Sequence, residues 1–405
     1  MEGPLCSLSS GSSSRSPAAS RDWSTALPKL AIFLIMERLL PSLSDLLSAI
    51  RVSREWLDVF SLCKRELLSD LPPFLFTGRF SVYGEHPPTI YSVVERRLFR
   101  HRDSPEEEPD DCVPRRRSHI IVGTSHGYLM VADVCSRRLL MMDPLSSEGI
   151  PSSRGLVETP EAPHDLSLAS VFMTAPPSSP LCVVLAFHRC HFQYWRRGET
   201  AWSSIDFPRW VVHVEYHGGG DADKLLASLV PRRTAVDLQG RLYALYMPAR
   251  LLFVESYFPR LSTVVFDDIP GLPRGTHHEA SLVESNGDIL YVCDRGEERR
   301  RTRRPKHDVD VKHRFEVRRL DLAARKWVRV RGLGGRALFL NVYGSPSISC
   351  EANKLGDGDG DRIYFLCSFS ISWAVYHMED GSTEHHPLSH AYRTPLWGFP
   401  SPRHS

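Results

Sequence analysis

The chain has 405 residues, 42% hydrophobic and 24% charged, with 50 Lys and Arg against 48 Asp and Glu. That length exceeds the usual single domain, and so even a charge balance excludes a strong overall field drawing the protein to nucleic acid or anionic lipid. The nine cysteines (Cys6, Cys63, Cys112, Cys135, Cys182, Cys190, Cys293, Cys350 and Cys367) are odd in number and lack a C-x-x-C pair, which argues against a disulfide framework and a zinc ribbon and fits a reducing intracellular compartment.

The first stretch, 1–20, is rich in Ser and small residues. Glu2 and the nearby helical pattern favour a disordered tail over an organellar transit peptide. From Leu27 to Trp56 the chain reads "LPKLAIFLIMERLLPSLSDLLSAIRVSREW". Ile32, Ile35, Met36, Leu39 and Leu40 recur at spacings of three and four, the stripe of an amphipathic helix, with Lys29, Glu37 and Arg38 on the wet side. This predicts a helix from Lys29 to Leu40, with Pro28 in its first turn and Pro41 ending it. Ser44 with Asp45 reads as the cap of a second helix carrying Leu46, Leu47 and Ile50, and a third is expected around Trp56 and Phe60. Glu37 and Arg38 break the apolar run well short of the roughly 18–20 residues that span a bilayer, so a soluble chain is expected. Cores below about 70–80 residues rarely supply more than ~3–5 kcal/mol, so the three helices, the module over 21–70, need a partner or another domain to lean on.

Leu27-Pro28, Ile35-Met36, Leu39, Asp45-Leu46-Leu47, and Val52-Ser53 with Trp56 resemble, in order and spacing, the F-box pattern of Leu-Pro, Ile-Leu, Leu, Asp-Leu and Val-Ser/Cys-x-x-Trp. The resemblance implies docking onto a Skp-type adaptor and through it a cullin. It points to Leu27, Pro28, Ile35, Met36, Leu39, Leu47, Val52 and Trp56 as adaptor-binding residues, some of which, Trp56 especially, could instead hold the helices together.

After Asp70 the pattern turns to strands. "HIIVGTSHGYLMVADVCSRRLLMMDPLS" reads as strand, glycine turn, strand, turn, strand, with Val131, Leu139 and Met141 as core candidates. Similar phrases return around Gly240, Gly287 and Gly360, and Gly240 and Gly287 lie 47 residues apart, close to the period of a propeller blade. Two strand–turn–strand units, whose second strands open at Trp202 and Trp327, look like outer hairpins of a kelch-like blade. The 26 Gly, the 30 Pro and the many short strands predict an all-β domain over 71–400. A propeller accounts for the repeated phrase; a sandwich, the second reading, does not.

"SHGYLMVAD", "FHRCHFQYWRRGETAW", "LGGRALFL" and the closing "PLW" of Pro395 to Trp397 resemble the plant F-box proteins whose C-terminal domain is a KIB-type β-propeller. The resemblance covers nearly the whole chain after Leu27. It implies a mainly β protein, with a small three-helix F-box-like module followed by a kelch-like β-propeller. Two charged insertions, near 101–118 and 295–313, depart from the pattern and read as solvated loops. The second holds Arg299, Arg300, Arg301, Arg303, Arg304 and Lys306, either a nuclear-import signal or a charged loop without specific function.

Several motifs look like chemistry and fail their structural context. "GTSHG" fits a nucleophile elbow at Ser125 beside His126, but a strand follows where the elbow needs a helix. "GLGGRA", Gly332 to Ala337, resembles a dinucleotide loop and likewise runs into a strand. "DGDGDRIYFLCS" has Arg362 where a calcium loop needs glycine and Ser368 where it needs glutamate. His188, Cys190 and His191 suit zinc chemically, but in one strand 188 and 190 face one side and 191 the other. The expectation is a non-enzyme without cofactor or metal. It is a substrate-recruiting subunit of a Skp–cullin–F-box ubiquitin ligase in the cytoplasm or nucleus, its helices on the adaptor and its propeller on an unidentified target protein. A non-ligase interaction scaffold with a degenerate F-box is the alternative.

Overall fold

The structure, a computed structural model, describes residues 27–40, 42–69, 71–77, 89–99, 119–143, 157–188, 191–206, 234–238, 241–247, 250–256, 262–266, 269–272, 280–296, 312–341, 346–356, 360–367, 372–388 and 396–398. The Ser-rich stretch 1–20, the insertion at 101–118, Cys190, Gly240, Ser368 and the whole Arg-rich cluster lie outside the described residues.

Three helices come first: α1 (Lys29–Leu39), α2 (Leu43–Ala49) and α3 (Arg54–Ser69). Pro28 stands at the N-cap of α1, and its carbonyl accepts the N–H of Ala31 and Ile32. The cap of α2 is Ser42, not Ser44, because the helix starts at Leu43 and the Ser42 hydroxyl accepts the Asp45 N–H at 3.2 Å.

Six sheets follow. The first is β1 (Phe74–Thr77), β2 (Thr89–Ser92) and β3 (Arg97–Phe99); the second β4 (His119–Ser125), β5 (Tyr128–Asp133), β6 (Arg138–Met142) and β7 (Val157–Glu158). The third is β8 (Ser170–Met173), β9 (Val183–Phe187), β10 (His191–Arg196) and β11 (Ser203–Asp206); the fourth β12 (Ala235–Leu238), β13 (Arg241–Met247), β14 (Arg250–Ser256) and β15 (Ser262–Phe266). The fifth is β16 (Ala280–Ser285), β17 (Asp288–Asp294), β18 (Phe315–Asp321) and β19 (Lys326–Val330). The sixth holds β20 (Arg336–Leu340), β21 (Ile348–Glu351), β22 (Arg362–Leu366), β23 (Ser372–His377) and β24 (Thr383–Pro387), with β20 and β22 parallel. Finally β25 (Leu396–Gly398) returns to pair antiparallel with β1, Leu75 opposite Trp397, and gives the first sheet its fourth strand.

Six apolar cores join consecutive sheets into a closed ring. Phe74 and Phe76 meet Leu129 and Val131; Met130 and Ala132 meet Val171 and Val184; Phe172 and Leu185 meet Ala235 and Leu242. Tyr243 and Leu245 meet Leu282 and Tyr291, Val292 and Val317 meet Leu338 and Phe365, and Phe339 and Tyr364 meet Leu75 and Trp397. The domain is therefore a β-propeller with one four- or five-stranded sheet per blade. The inner strands are buried on both faces, so Leu129 to Ala132 of β5 is an unbroken buried run, whereas outer strands such as β19 and β24 are largely exposed or half-buried. Alternation decides which neighbouring blade a side chain enters rather than whether it is wet. Val131, Leu139 and Met141 are all buried, as expected for core positions.

Two of the predicted turn glycines share one geometry. His126-Gly127 and Asn286-Gly287 are two-residue hairpin turns with positive φ at both positions (50° and 77°, 54° and 79°), the form that matches strand twist. Gly360 does something else. A Cβ there would come within 2.3 Å of the Gly335 Cα, so it allows two connecting segments to touch rather than turning a hairpin. The units containing Trp202 and Trp327 form the outer pairs β10–β11 and β18–β19.

Candidate interaction surface

The helices do not stand apart from the ring. Ile32, Met36, Leu43, Leu46, Trp56, Val59 and Phe60 belong to the same core as Phe74, Phe76 and Ile90 of the first blade and Leu129 and Val131 of the second. A polar contact fixes the seat: Glu95, in the β2–β3 turn, accepts the Ser44 N–H at 3.2 Å, placing a carboxylate on the first turn of α2 where orphan donors and the helix dipole favour an anion. Arg97 Nη1 donates to the Ser44 hydroxyl at 3.5 Å. The propeller is thus what the small helical unit leans on.

One face of α1 is buried and the opposite face is not. Ile32 and Met36, four apart, point into the shared core. Leu30 and Leu34, also four apart but on the other side of the helix, are 68% and 47% exposed, with Ile35 at 36% between the faces. Val52, between α2 and α3, is 43% exposed, and Leu62 on α3 is 75% exposed. Exposed leucines are individually ordinary; an i, i+4 pair on one short helix is the informative feature.

The predicted adaptor residues divide accordingly. Pro28, Ile35 and Val52 are exposed, whereas Leu27, Leu39 and Leu47 are half-buried against the helical core. Met36 and Trp56 are fully inside it and hold the helices to the propeller, offering a visitor no surface. Leu30, Leu34 and Leu62 are exposed apolar side chains that lie outside the predicted set, since that set follows the apolar stripe. Their signal is the second, opposite pair at i, i+4.

The chemical motifs resolve into turns. Ser125 pairs with Tyr128 across a hairpin, its hydroxyl donates to the Met173 carbonyl at 3.3 Å, and His126 Nε2 lies 3.1 Å from the same carbonyl, so the serine and histidine are aimed at blade three and not at each other. Gly332 to Gly335 lie in the link from β19 to β20, which Arg336 and Ala337 open, with Gly334 and Gly335 at φ of 65° and 77° and the Leu333 N–H donated to the Asp361 carboxylate. Arg362 simply opens β22. The strand-parity argument for His188 and His191 fails, because the chain reverses between them. The His188 N–H donates to the His191 carbonyl at 2.9 Å, and the rings stack 4.6 Å apart with His164 alongside at 4.3 Å from His191. Gln193 Nε2 contacts both rings, at 3.0 and 3.4 Å. Even so, among the described residues no three His, Cys, Asp or Glu side chains are gathered as metal ligands. No described helix is long and apolar enough to cross a membrane.

Among curated proteins, comparison by sequence finds no match. By structure the chain is similar to virginiamycin B lyase from Staphylococcus aureus (8% identity, TM-score 0.36, covering 82% of this chain and 96% of the lyase). It is also similar to the Cps50 (Swd1) β-propeller domain of Myceliophteria thermophila (11% identity, TM-score 0.35, 79% and 84%) and to a luciferin-regenerating enzyme (10% identity, TM-score 0.30, 80% and 83%). The KIB1-4 beta-propeller family matches residues 90–390, from β2 to the end of the sixth blade, and this chain belongs to that family.

Proposed function

We propose that the protein recruits targets to a Skp–cullin–F-box ubiquitin ligase. The helices dock on a Skp-type adaptor and the propeller holds a target protein. The observation that carries the reading is the exposed apolar face of α1, Leu30 and Leu34 with Ile35, joined by Val52 and Leu62, on helices that follow the F-box-like order from Leu27 to Trp56. Within the reading the blades are kelch-like, the protein works in the cytoplasm or nucleus, and it does no chemistry itself. Catalysis is positional: a target lysine is kept at high effective concentration near the ubiquitin-loaded enzyme.

A second reading has its own support. Since α1 to α3 share one core with blades one and two, they could serve only as a cap, leaving the propeller as a plain interaction scaffold. Co-purification separates the two. The ligase reading expects a Skp-type adaptor to bind the full chain and to be lost in Leu30→Asp/Leu34→Asp, with captured targets retained. Absence of adaptor binding by the folded wild type would leave the scaffold reading.

A further inference from the structure

Cys367 lies within hydrogen-bond distance of an imidazole, that of His385. Strand alternation explains the placement. Ile363 and Phe365 of β22 face the fifth blade, and Cys367, two residues on, packs on the same side. Phe365 pairs with Ala374 on β23 and Ala374 with His385 on β24, so His385 stands on that face too, one row across. The Cys367 Sγ and His385 Nδ1 are 3.8 Å apart, and both residues are half-buried.

The fifth blade supplies a second pair opposite. Asp294 ends β17, and His313, just before β18, sets its Nδ1 2.6 Å from the Asp294 Oδ2. Asp294 also accepts the N–H of Gly296 at 2.8 Å and of Arg314 at 3.0 Å. Burial alone would raise this carboxyl, but the His313 hydrogen bond and the two backbone donors outweigh it and hold the group below its usual range. The His313 and His385 rings lie 6.0 Å apart, with Phe365 edge-on to His313 at 4.6 Å. Thiol, imidazole, imidazole and carboxylate therefore stand in a row across the seam between two blades.

We propose that Cys367 is a peroxide-reactive modification site, with His385 accepting its proton. The proton moves from Sγ to His385 Nδ1. The thiolate attacks one oxygen of hydrogen peroxide, the S–O bond forms as the O–O bond breaks, and the departing hydroxide takes the proton from the imidazolium. Thiol and peroxide give sulfenic acid and water. Of the other described cysteines, Cys182, Cys293 and Cys350 are buried, Cys63 is half-buried and Cys135 is exposed. The proposal is independent of whether the helices bind an adaptor.

The test treats the full chain with hydrogen peroxide in the presence of dimedone, which traps sulfenic acid, and reads each cysteine by mass spectrometry. Exposed Cys135 is the internal reference. Cys367 is expected to be trapped about tenfold faster than Cys135 at neutral pH, and His385→Gln is expected to remove that advantage. Trapping no faster than Cys135, or a rate unchanged in His385→Gln, overturns the proposal. Protection of Cys182 and Cys350 reports that the variant is folded. Should it not fold, the wild-type rate of iodoacetamide alkylation against pH decides: a midpoint for Cys367 below that of Cys135 supports the assignment, and coincident midpoints refute it.

Discussion

Asn341 and Trp397 exchange two hydrogen bonds: the Asn341 side chain donates from Nδ2 to the Trp397 carbonyl at 2.9 Å and accepts the Trp397 N–H on Oδ1 at 2.6 Å. One amide thereby satisfies both backbone groups of the middle residue of β25, and Thr124 of the second blade adds a third bond to the same carbonyl at 2.9 Å. Replacing Asn341 with Leu leaves a buried N–H without its partner, at a cost of about 1–3 kcal/mol for that group plus the lost bonds. Urea denaturation is expected to show a fall of about 2–4 kcal/mol for Asn341→Leu and about 1 kcal/mol for Thr124→Val, whose carbonyl partner keeps Asn341.

The two faces of α1 make opposite predictions for stability. Met36→Ala empties a fully buried site and is expected to cost about 2–5 kcal/mol. Leu30→Asp and Leu34→Asp change exposed positions and are each expected to move the unfolding free energy by no more than about 0.5 kcal/mol. Adaptor affinity, read by titration calorimetry, is expected to follow the reverse order among variants that remain folded.

Asp294 ties stability to pH with a definite sign. Its folded-state carboxyl is held below the ordinary range, so its contribution is complete above the unfolded value of about 3.8 and is lost as pH falls through the lower, folded value. Asp294→Asn removes that dependence. The stability difference between wild type and Asp294→Asn, followed by denaturation from about pH 6 downwards, is expected to stay level to about pH 4 and to shrink only below it.

Burial explains which thiols stay silent. It pushes the Cys182 thiol up to about 11 and the Cys350 thiol up to about 12. Both are expected to resist alkylation in the native protein and to react only after unfolding, whereas exposed Cys135 reacts at once. Mass spectrometry of iodoacetamide adducts before and after urea checks this.

Glycine matters unequally. Gly287→Ala meets no atom within 4 Å and pays only for a φ of 79°, about 1 kcal/mol. Gly360→Ala drives a Cβ into the Gly335 backbone, so the β19–β20 connection must shift and the loss in thermal stability is expected to be larger.

What the sequence disclosed depended on whether a signal was local. Helices α1 to α3 were legible because Pro28 and Pro41 punctuate a period of three and four, although Ser44 drew the cap two residues too far along by standing beside Asp45. Repeated strands were legible from the glycine turns at Gly127 and Gly287. The number of blades was not, since Gly360 repeats the phrase without the hairpin and Gly240 lies in a blade described only in part. "LGGRALFL" and "PLW" lie far apart in the chain, yet Phe339 and Trp397 pack 5.1 Å apart at the closure. No spacing reveals such a meeting. His188 and His191 show the converse: the antiparallel pairing of β9 and β10 brings together two residues that a single continuous strand would have parted.

Because β25 is the inner neighbour of β1, the first blade waits for a segment synthesised more than three hundred positions later. Until then β1 has one flank unpaired during translation, an open edge of the kind that invites misassembly. The helices emerge from the ribosome before that edge and pack on the same blade, against Phe74 and Phe76 of β1, so part of its apolar face has a partner encoded ahead of it in the chain.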